Sequence, residues 1–396
     1  MWSSNCDGWS LRRNDPRWQQ TNPDDSFDNQ YNWGDFVKLQ NVRQPVLNIA
    51  GRRIGPAEPP YIVAEMSGNH NGDINRAFRI IEAAKLAGAD AVKIQTYRAD
   101  TITIDHCGAE FMVDGGLWNG RRLYELYEEA HTPWEWHEAI FEHGRKIGIT
   151  VFSSPFDATA VDFLESLGAP AYKIASPELI DLPLIRKVAR TGKPIVMSTG
   201  MATLEEISEA IEAARGAGAT EIVVLHCTAA YPAPPEEANL ATIAEIAQRF
   251  DVVVGLSDHT LGTVVSAIAV GLGASFIEKH FTLARADGGV DSAFSLEPEE
   301  LAELVAAARI AHVAVGVPAF EPTRSEEIVL KNRRSLYVVA PVAEGEVLTE
   351  ANVRSIRPGN GLKPKFLDAV LGRRALRELA FGEPLDTSMI EGGIDI

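Results

Sequence analysis

The stretch PIVMSTGMATLEEISEAIEAARGAGATEIVVLHC, residues 194–227, opens and closes on a short apolar run rich in β-branched residues. Between the runs, apolar residues recur at helical spacing. The pattern closes on glycine before the second run, as a helix C-terminus does. Continuous apolar strands separated by a helix describe a β–α–β unit with parallel strands covered on both faces. The same cadence runs through YIVAEM (61–66), DAVKIQ (90–95), ITVFSS (149–154), AYKIAS (171–176), VVVGLS (252–257) and SFIEKH (275–280). Amphipathic stretches such as NRAFRIIEAAKLAGA (75–89) and ATAVDFLESLGA (158–169) lie between them. About eight such units end in the helix LEPEELAELVAAARIAHVAVG (296–316), the number a closed (β/α)8 TIM barrel needs. No GxGxxG follows a strand, which argues against an open doubly wound sheet.

The rest of the chain falls around this α/β core. Residues 1–48 are polar, rich in Asn, Asp and Trp, and without period; they read as an irregular or disordered extension. Residues 49–316 form the barrel and 317–335 have linker character. Residues 336–396, punctuated by glycine, suggest a small β-rich domain. The net charge of −18 over 396 residues argues against nucleic acid or an anionic membrane as partner. No apolar run reaches the ~18 residues of a membrane span. Three cysteines without CxxC spacing read as reduced thiols of a cytoplasmic protein.

In a β/α barrel the C-terminal strand ends line the site. Read in order, those ends carry Glu65, Lys93 and Gln95, Ser153 and Ser154, Lys173 and Ser176, Ser198 and Thr199, His226 and Cys227, Ser257 and His259, and Glu278 and His280. Lysines give point charges and hydroxyls give directed hydrogen bonds, which suits a phosphate. VVVGLSDHTLG (252–262) and ASFIEKHFT (274–282) each place a histidine just after a strand, His259 and His280. One histidine in such a place is usually structural. Two at the ends of neighbouring strands can share a divalent metal, with water or substrate completing an open shell. Glu65 on the rim is suited to moving protons.

At these residues the chain resembles the sialic acid synthase family. IVAEMSGNHNGD (62–73), VKIQT, FSSPFD, YKIAS, MSTGM, LHCTAAYP, GLSDHT and EKHFT match its barrel motifs in order. RPGNG (357–361) and VLGRRA (370–375) resemble its C-terminal antifreeze-like (SAF) domain. LWNGRRLYELYEEAHTPWEWH (117–137) and DGGVDSAFSLEP (287–298) are most like the pseudaminic acid synthases of that family.

The resemblance implies condensation of phosphoenolpyruvate with an N-acetylated deoxy sugar aldehyde, with release of phosphate. It implies that Lys93, Ser154, Lys173, Ser176, Ser198 and Ser257 hold phosphoenolpyruvate. His259 and His280 would bind Mn2+, Mg2+ or Co2+, and Glu65 would be the acid/base. Gln95, Tyr231, Asp291 and, from the small domain, Arg357 would face the sugar. It further implies a domain-swapped homodimer. Ala229 stands where neuraminate synthases carry an amide, which favours a less polar sugar over N-acetylmannosamine. Neuraminate or legionaminate synthesis is the nearest alternative. A Schiff-base aldolase with Lys173 as nucleophile is a rival chemistry.

Overall fold

The computed structural model describes residues 45–394. It opens on a hairpin of β1 (Leu47–Ile49) and β2 (Arg52–Ile54), paired antiparallel. Leu47 and Asn48, assigned above to the irregular extension, therefore belong to a strand. Leu47, Ile49 and Ile54 are buried, which a polar average over the first residues conceals. Residues 1–44 of that extension lie outside the described residues.

Eight parallel strands then close into a barrel. They are β3 (Tyr61–Glu65), β4 (Ala91–Thr96), β5 (Thr150–Pro155), β6 (Tyr172–Ile174), β7 (Ile195–Ser198), β8 (Ile222–Cys227), β9 (Val253–Asp258) and β10 (Phe276–His280). Each pairs with the next, and β10 returns to β3 with His280 opposite Glu65. The helices between them begin and end by local rules. Thr203 and Glu206 form a capping box at the start of helix Leu204–Gly216. Asp73 and Asp157 cap the helices that follow them, and Gly88, at φ +91°, ends helix Ile74–Ala87 in the left-handed conformation.

Side chains alternate across each strand, so one set faces the helices and the other the barrel axis. Outward residues such as Ile62, Val92, Ile94, Ile195, Val224 and Ile277 pack with the helices in the main core. The inward set changes character along the strands. Near their starts Tyr61, Val63, Ala91, Phe152, Ala171, Val196, Val223, Val253 and Phe276 form a second apolar core with the hairpin. Asn48 N–H donates to Glu221 and Arg52 to Asp90, residues just ahead of β8 and β4, so the hairpin closes the N-terminal end. Nearer the strand ends the inward residues turn polar. Gly255 sits where the strands crowd: a Cβ there would stand 2.2 Å from the Phe276 carbonyl oxygen.

The chain divides after Gly316 into a second compact unit. There β11 (Ser335–Val338) pairs antiparallel with β12 (Val353–Ile356) over a core including Leu336, Val342, Leu348 and Leu385. A short 3-10 helix, Glu327–Asn332, lies within the stretch read as linker. Gly361 has no left-handed backbone; it is glycine because a Cβ would meet the Leu336 carbonyl oxygen at 2.4 Å.

His137 ties helix His137–Ile147 to β4 and β5. Its Nδ1 lies 3.1 Å from the Pro133 carbonyl oxygen and its Nε2 2.8 Å from Thr96 Oγ, which also meets Ser153 Oγ. The carbonyl can only accept, so the neutral ring carries its proton on Nδ1. Burial lowers its pKa from 6.5 to about 4. The unfolded chain binds that proton first, so the stabilisation is present above pH 6.5 and is lost as pH falls toward 4. The full difference is worth roughly 3 kcal/mol. Urea unfolding should show stability falling between pH 6.5 and 4.5, with a shallower fall in His137→Gln. An identical slope in the variant would remove His137 as the cause.

Candidate active site

The inward polar ends of the strands converge on a buried charge cluster. Lys93 Nζ lies 2.7 Å from Glu65 Oε2 and 3.7 Å from Glu278 Oε1. Lys173 Nζ lies 3.3 Å from the same Glu278 oxygen. Lys93 also donates to Ser154 Oγ at 3.2 Å, and Ser257 Oγ donates to Glu278 at 3.2 Å. All are buried. Burial raises the pKa of Glu65, against the pull of Lys93, and the negative Glu278 adds to the rise. Glu278 suffers the same burial, but the lysines outweigh it and hold it ionised. Burial lowers Lys173, partly offset by Glu278. Burial also works against the charge on Lys93, but Glu278 and Glu65 carry it above its usual value. The cluster thus holds one carboxylate firmly charged and one whose proton is easier to keep.

A hydrogen-bonded line leads from this cluster toward the histidines and ends at Asp291. Gln95 Nε2 donates to Glu65 Oε1 at 2.9 Å and to Ser67 Oγ at 3.1 Å. Ser67, held at φ +44°, donates in turn to Asp291 in a short contact. Asp291 Oδ2 lies 3.9 Å from His280 Nδ1. The His259 and His280 rings are 5.5 Å apart between centroids. His259 Nδ1 lies 2.9 Å from the Thr228 carbonyl oxygen and donates there; burial works against a charge on this ring, but Cys227 and the Thr228 carbonyl carry its pKa above the ordinary value. Burial, reinforced by neighbouring His259, keeps His280 neutral with a pKa well below the ordinary value. Tyr231 packs on His259 at 4.3 Å and Phe294 on His280 at 4.8 Å.

Barrel closure thus brings together Glu65, Lys93, Gln95, Ser154, Lys173, Ser257, His259, His280, Asp291 and Tyr231. Ser198 is buried at its strand end, with its hydroxyl lacking a partner among the described residues. Ser176 Oγ accepts from Gly200 N–H at 3.1 Å. A Cβ on Gly200 would stand 2.9 Å from Ala229 Cβ, so Ala229 lies beside this corner. Arg357 belongs to the second unit, where it lines a groove with Arg333, Arg334 and Phe320. Alternation separates look-alikes: Ser153 donates to Ile94 O, and His226 is hydrogen-bonded to Ala238 O, away from the axis. Glu278 stands in the ring of strand ends without an expected role, although it sits two residues before His280 on the same strand face; Ser67 was not among the expected site residues. Ser67 carried no such signal, because an irregular turn places it.

The acidic and basic neighbours of the two histidines form a separate pair. Lys279 Nζ lies 2.8 Å from Asp258 Oδ2 and 2.6 Å from the Thr260 carbonyl oxygen. Asp258 also accepts from Thr260 N–H and Ser266 Oγ. Both charges are buried on the outer side of β9 and β10. They lock the strand ends from behind while the histidines face inward.

A barrel of this topology with two lysines, two carboxylates and paired histidines at its C-terminal mouth belongs to a recognisable class of enzyme. Residues 80–319 match the NeuB family model and residues 333–391 the SAF domain model, and the chain belongs to the NeuB family. It is 44% identical to the pseudaminic acid synthase of Helicobacter pylori, over 84% of this chain and 98% of that protein. It is 38% identical to the N,N'-diacetyllegionaminic acid synthase of Campylobacter jejuni, over 80% of this chain and 96% of that one. Among solved structures it resembles the N-acetylneuraminic acid synthetase of Leptospira borgpetersenii, with a TM-score of 0.65 and 30% identity. That match covers 72% of this chain and 95% of the other.

Lys279→Met leaves Asp258 charged and buried without its cation, and should cost about 3–5 kcal/mol of unfolding free energy. Asp258→Asn combined with Lys279→Met should recover part of that loss, since no charge is then stranded. Equal stability of all three proteins in urea would show that the pair does not hold the strand ends.

Proposed function

We propose that this protein is a pseudaminic acid synthase. It joins C3 of phosphoenolpyruvate to the aldehyde carbon of 2,4-diacetamido-2,4,6-trideoxy-L-altrose. Water adds at C2 of the phosphoenolpyruvate unit, and the C2–O bond breaks to release phosphate. One observation carries the reading: buried polar atoms without protein partners cluster at the mouth of the barrel. Ser198 Oγ, Glu278 Oε2 and His280 Nδ1 are buried and unpaired among the described residues. Such atoms are costly unless a ligand satisfies them. Lys93 and Lys173 beside them supply positive charge in a site shielded from water, where electrostatic stabilisation is strongest. The identity to the H. pylori enzyme over most of both chains supports the choice of reaction and sugar.

On this reading Lys93 and Lys173 neutralise the phosphate and carboxylate of phosphoenolpyruvate, while Ser154, Ser176, Ser198 and Ser257 orient them. An incoming anion competes with Glu65 and Glu278 for the lysines. Glu65, with its raised pKa, is the group that takes up and returns a proton. Gln95, Tyr231 and Asp291 line the sugar side, and Arg357 is assigned to the sugar from motif resemblance.

The histidines fit a divalent metal. Once His259 gives up its second proton, Nε2 offers a lone pair to a metal, and buried His280 is neutral with Nδ1 unpaired. Two imidazoles form an incomplete shell, which leaves room for water and a sugar oxygen. A bound metal would act as a Lewis acid toward the aldehyde oxygen.

Phosphate release should be measured across the trideoxy sugar, its legionaminate-series counterpart and N-acetylmannosamine. The trideoxy L-altrose should have the highest kcat/KM, exceeding N-acetylmannosamine on the order of 100-fold. A higher value for either rival sugar transfers the assignment to that sugar. Borohydride trapping of a substrate adduct on Lys173 would instead support aldolase chemistry. For the metal, Mn2+ should raise the melting temperature of chelator-treated wild type and restore its turnover. His259→Ala and His280→Ala should lose both effects while remaining folded. A Mn2+-dependent thermal shift of wild-type size in both variants would place the metal elsewhere.

A further inference from the structure

The segment after β4 forms an arm that the reaction as outlined does not use. Val113 N–H donates to Arg121 O and Gly120 N–H to Val113 O, making a narrow hairpin. Gly115, Gly116 and Gly120 adopt positive φ, and Asn119 accepts from Gly115 N–H, so the sequence DGGLWNG closes the tip. Much of the tip is exposed, including Leu117, but Trp118 turns inward. Its indole N–H donates 2.9 Å to the Val290 carbonyl oxygen, in the loop after β10. The arm therefore reaches past β3, which lies between β4 and β10 in the barrel.

Trp118 completes an aromatic wall. Its ring centroid lies 5.6 Å from Tyr231 and 6.4 Å from Phe294. Those two rings are 5.2 Å apart and contact His259 and His280. One side of the site is thus a floor of charges and hydroxyls, and the other is a surface of aromatic rings. Phosphoenolpyruvate is chiefly anionic and suits the floor. What the wall suits is the apolar part of the second substrate. A 6-deoxy sugar ends in a methyl group, whose burial against rings is favourable. A sugar with a 6-hydroxyl would bury a polar group among carbon atoms.

Resting on the functional reading above, we propose that Trp118 is a specificity-determining residue, which selects sugars by their deoxygenated C6 end. The arm delivers this ring from a loop remote in sequence from Tyr231 and Phe294, so it sets selectivity without touching the lysine floor.

The test compares two substrates that differ only at C6: 2,4-diacetamido-2,4,6-trideoxy-L-altrose and its 6-hydroxy analogue. Wild type, Trp118→Ala and Trp118→Phe are assayed with each, after circular dichroism confirms folding. In Trp118→Ala the ratio of kcat/KM, deoxy over hydroxy, should fall on the order of 10-fold or more, chiefly through the KM for the deoxy sugar. Trp118→Phe should keep an intermediate ratio, and the KM for phosphoenolpyruvate should stay within about 2-fold of wild type. If wild type is active and Trp118→Ala loses activity equally on both sugars, or raises the KM for phosphoenolpyruvate instead, the inference falls and the functional reading stands. If wild type turns over neither sugar, the functional reading falls and takes the inference with it.

Discussion

Two lysines buried inside a closed barrel are the constraint on which the rest of the site depends. An ammonium without a partner is too costly to bury at this depth. Lys93 and Lys173 are tolerated because Glu65 and Glu278 reach them from β3 and β10. None of these partners is near its mate in sequence: Lys173 and Glu278 are separated by 105 positions. The barrel must close before the charges balance, so the cluster ties the chemistry to the completed fold. In the proposed reaction the same two lysines would hold the anionic substrate.

Strand alternation explains how one short segment serves two ends. In EKHFT, Glu278 and His280 face the axis while Lys279, between them, points outward to Asp258. In GLSDHT, Ser257 faces the axis, Asp258 points outward, and His259 follows the strand end. The acidic and basic neighbours of the histidines are therefore the anchor that holds two adjacent strand ends together. The histidines are carried by that anchor. This separates an inner set of residues that face the barrel axis from an outer set that sets their position.

The interior also changes character along its length. The hairpin of β1 and β2 and the aromatic rings of Tyr61, Phe152 and Phe276 fill the lower barrel with apolar volume. Only the upper layer is polar. Apolar packing below supports the charges above, and loops bring the remaining residues to the site: the turn at Ser67, the Trp118 arm and the segment around Asp291. The apolar layer and the polar layer thus occupy different parts of the same strands.

The sequence by itself determined the barrel, its strands and most of the residues that barrel closure brings together. Hydrophobic period, helix caps and strand ends are local properties, and the ordered motifs carry the family. It also contained the clue to Glu278, through spacing of two along a strand whose register His280 fixes. It was misleading at Leu47 and Asn48, where a short buried strand is hidden in a polar average. Tertiary structure alone decided which charges meet, that Asp258 pairs with Lys279, and that Ser67 and Trp118 reach the site at all. Those contacts join positions far apart in the chain, and they depend on loop geometry and on the closing of β10 against β3. No local pattern encodes a distance of that kind, because it is the packed barrel that brings the strand ends and loops together.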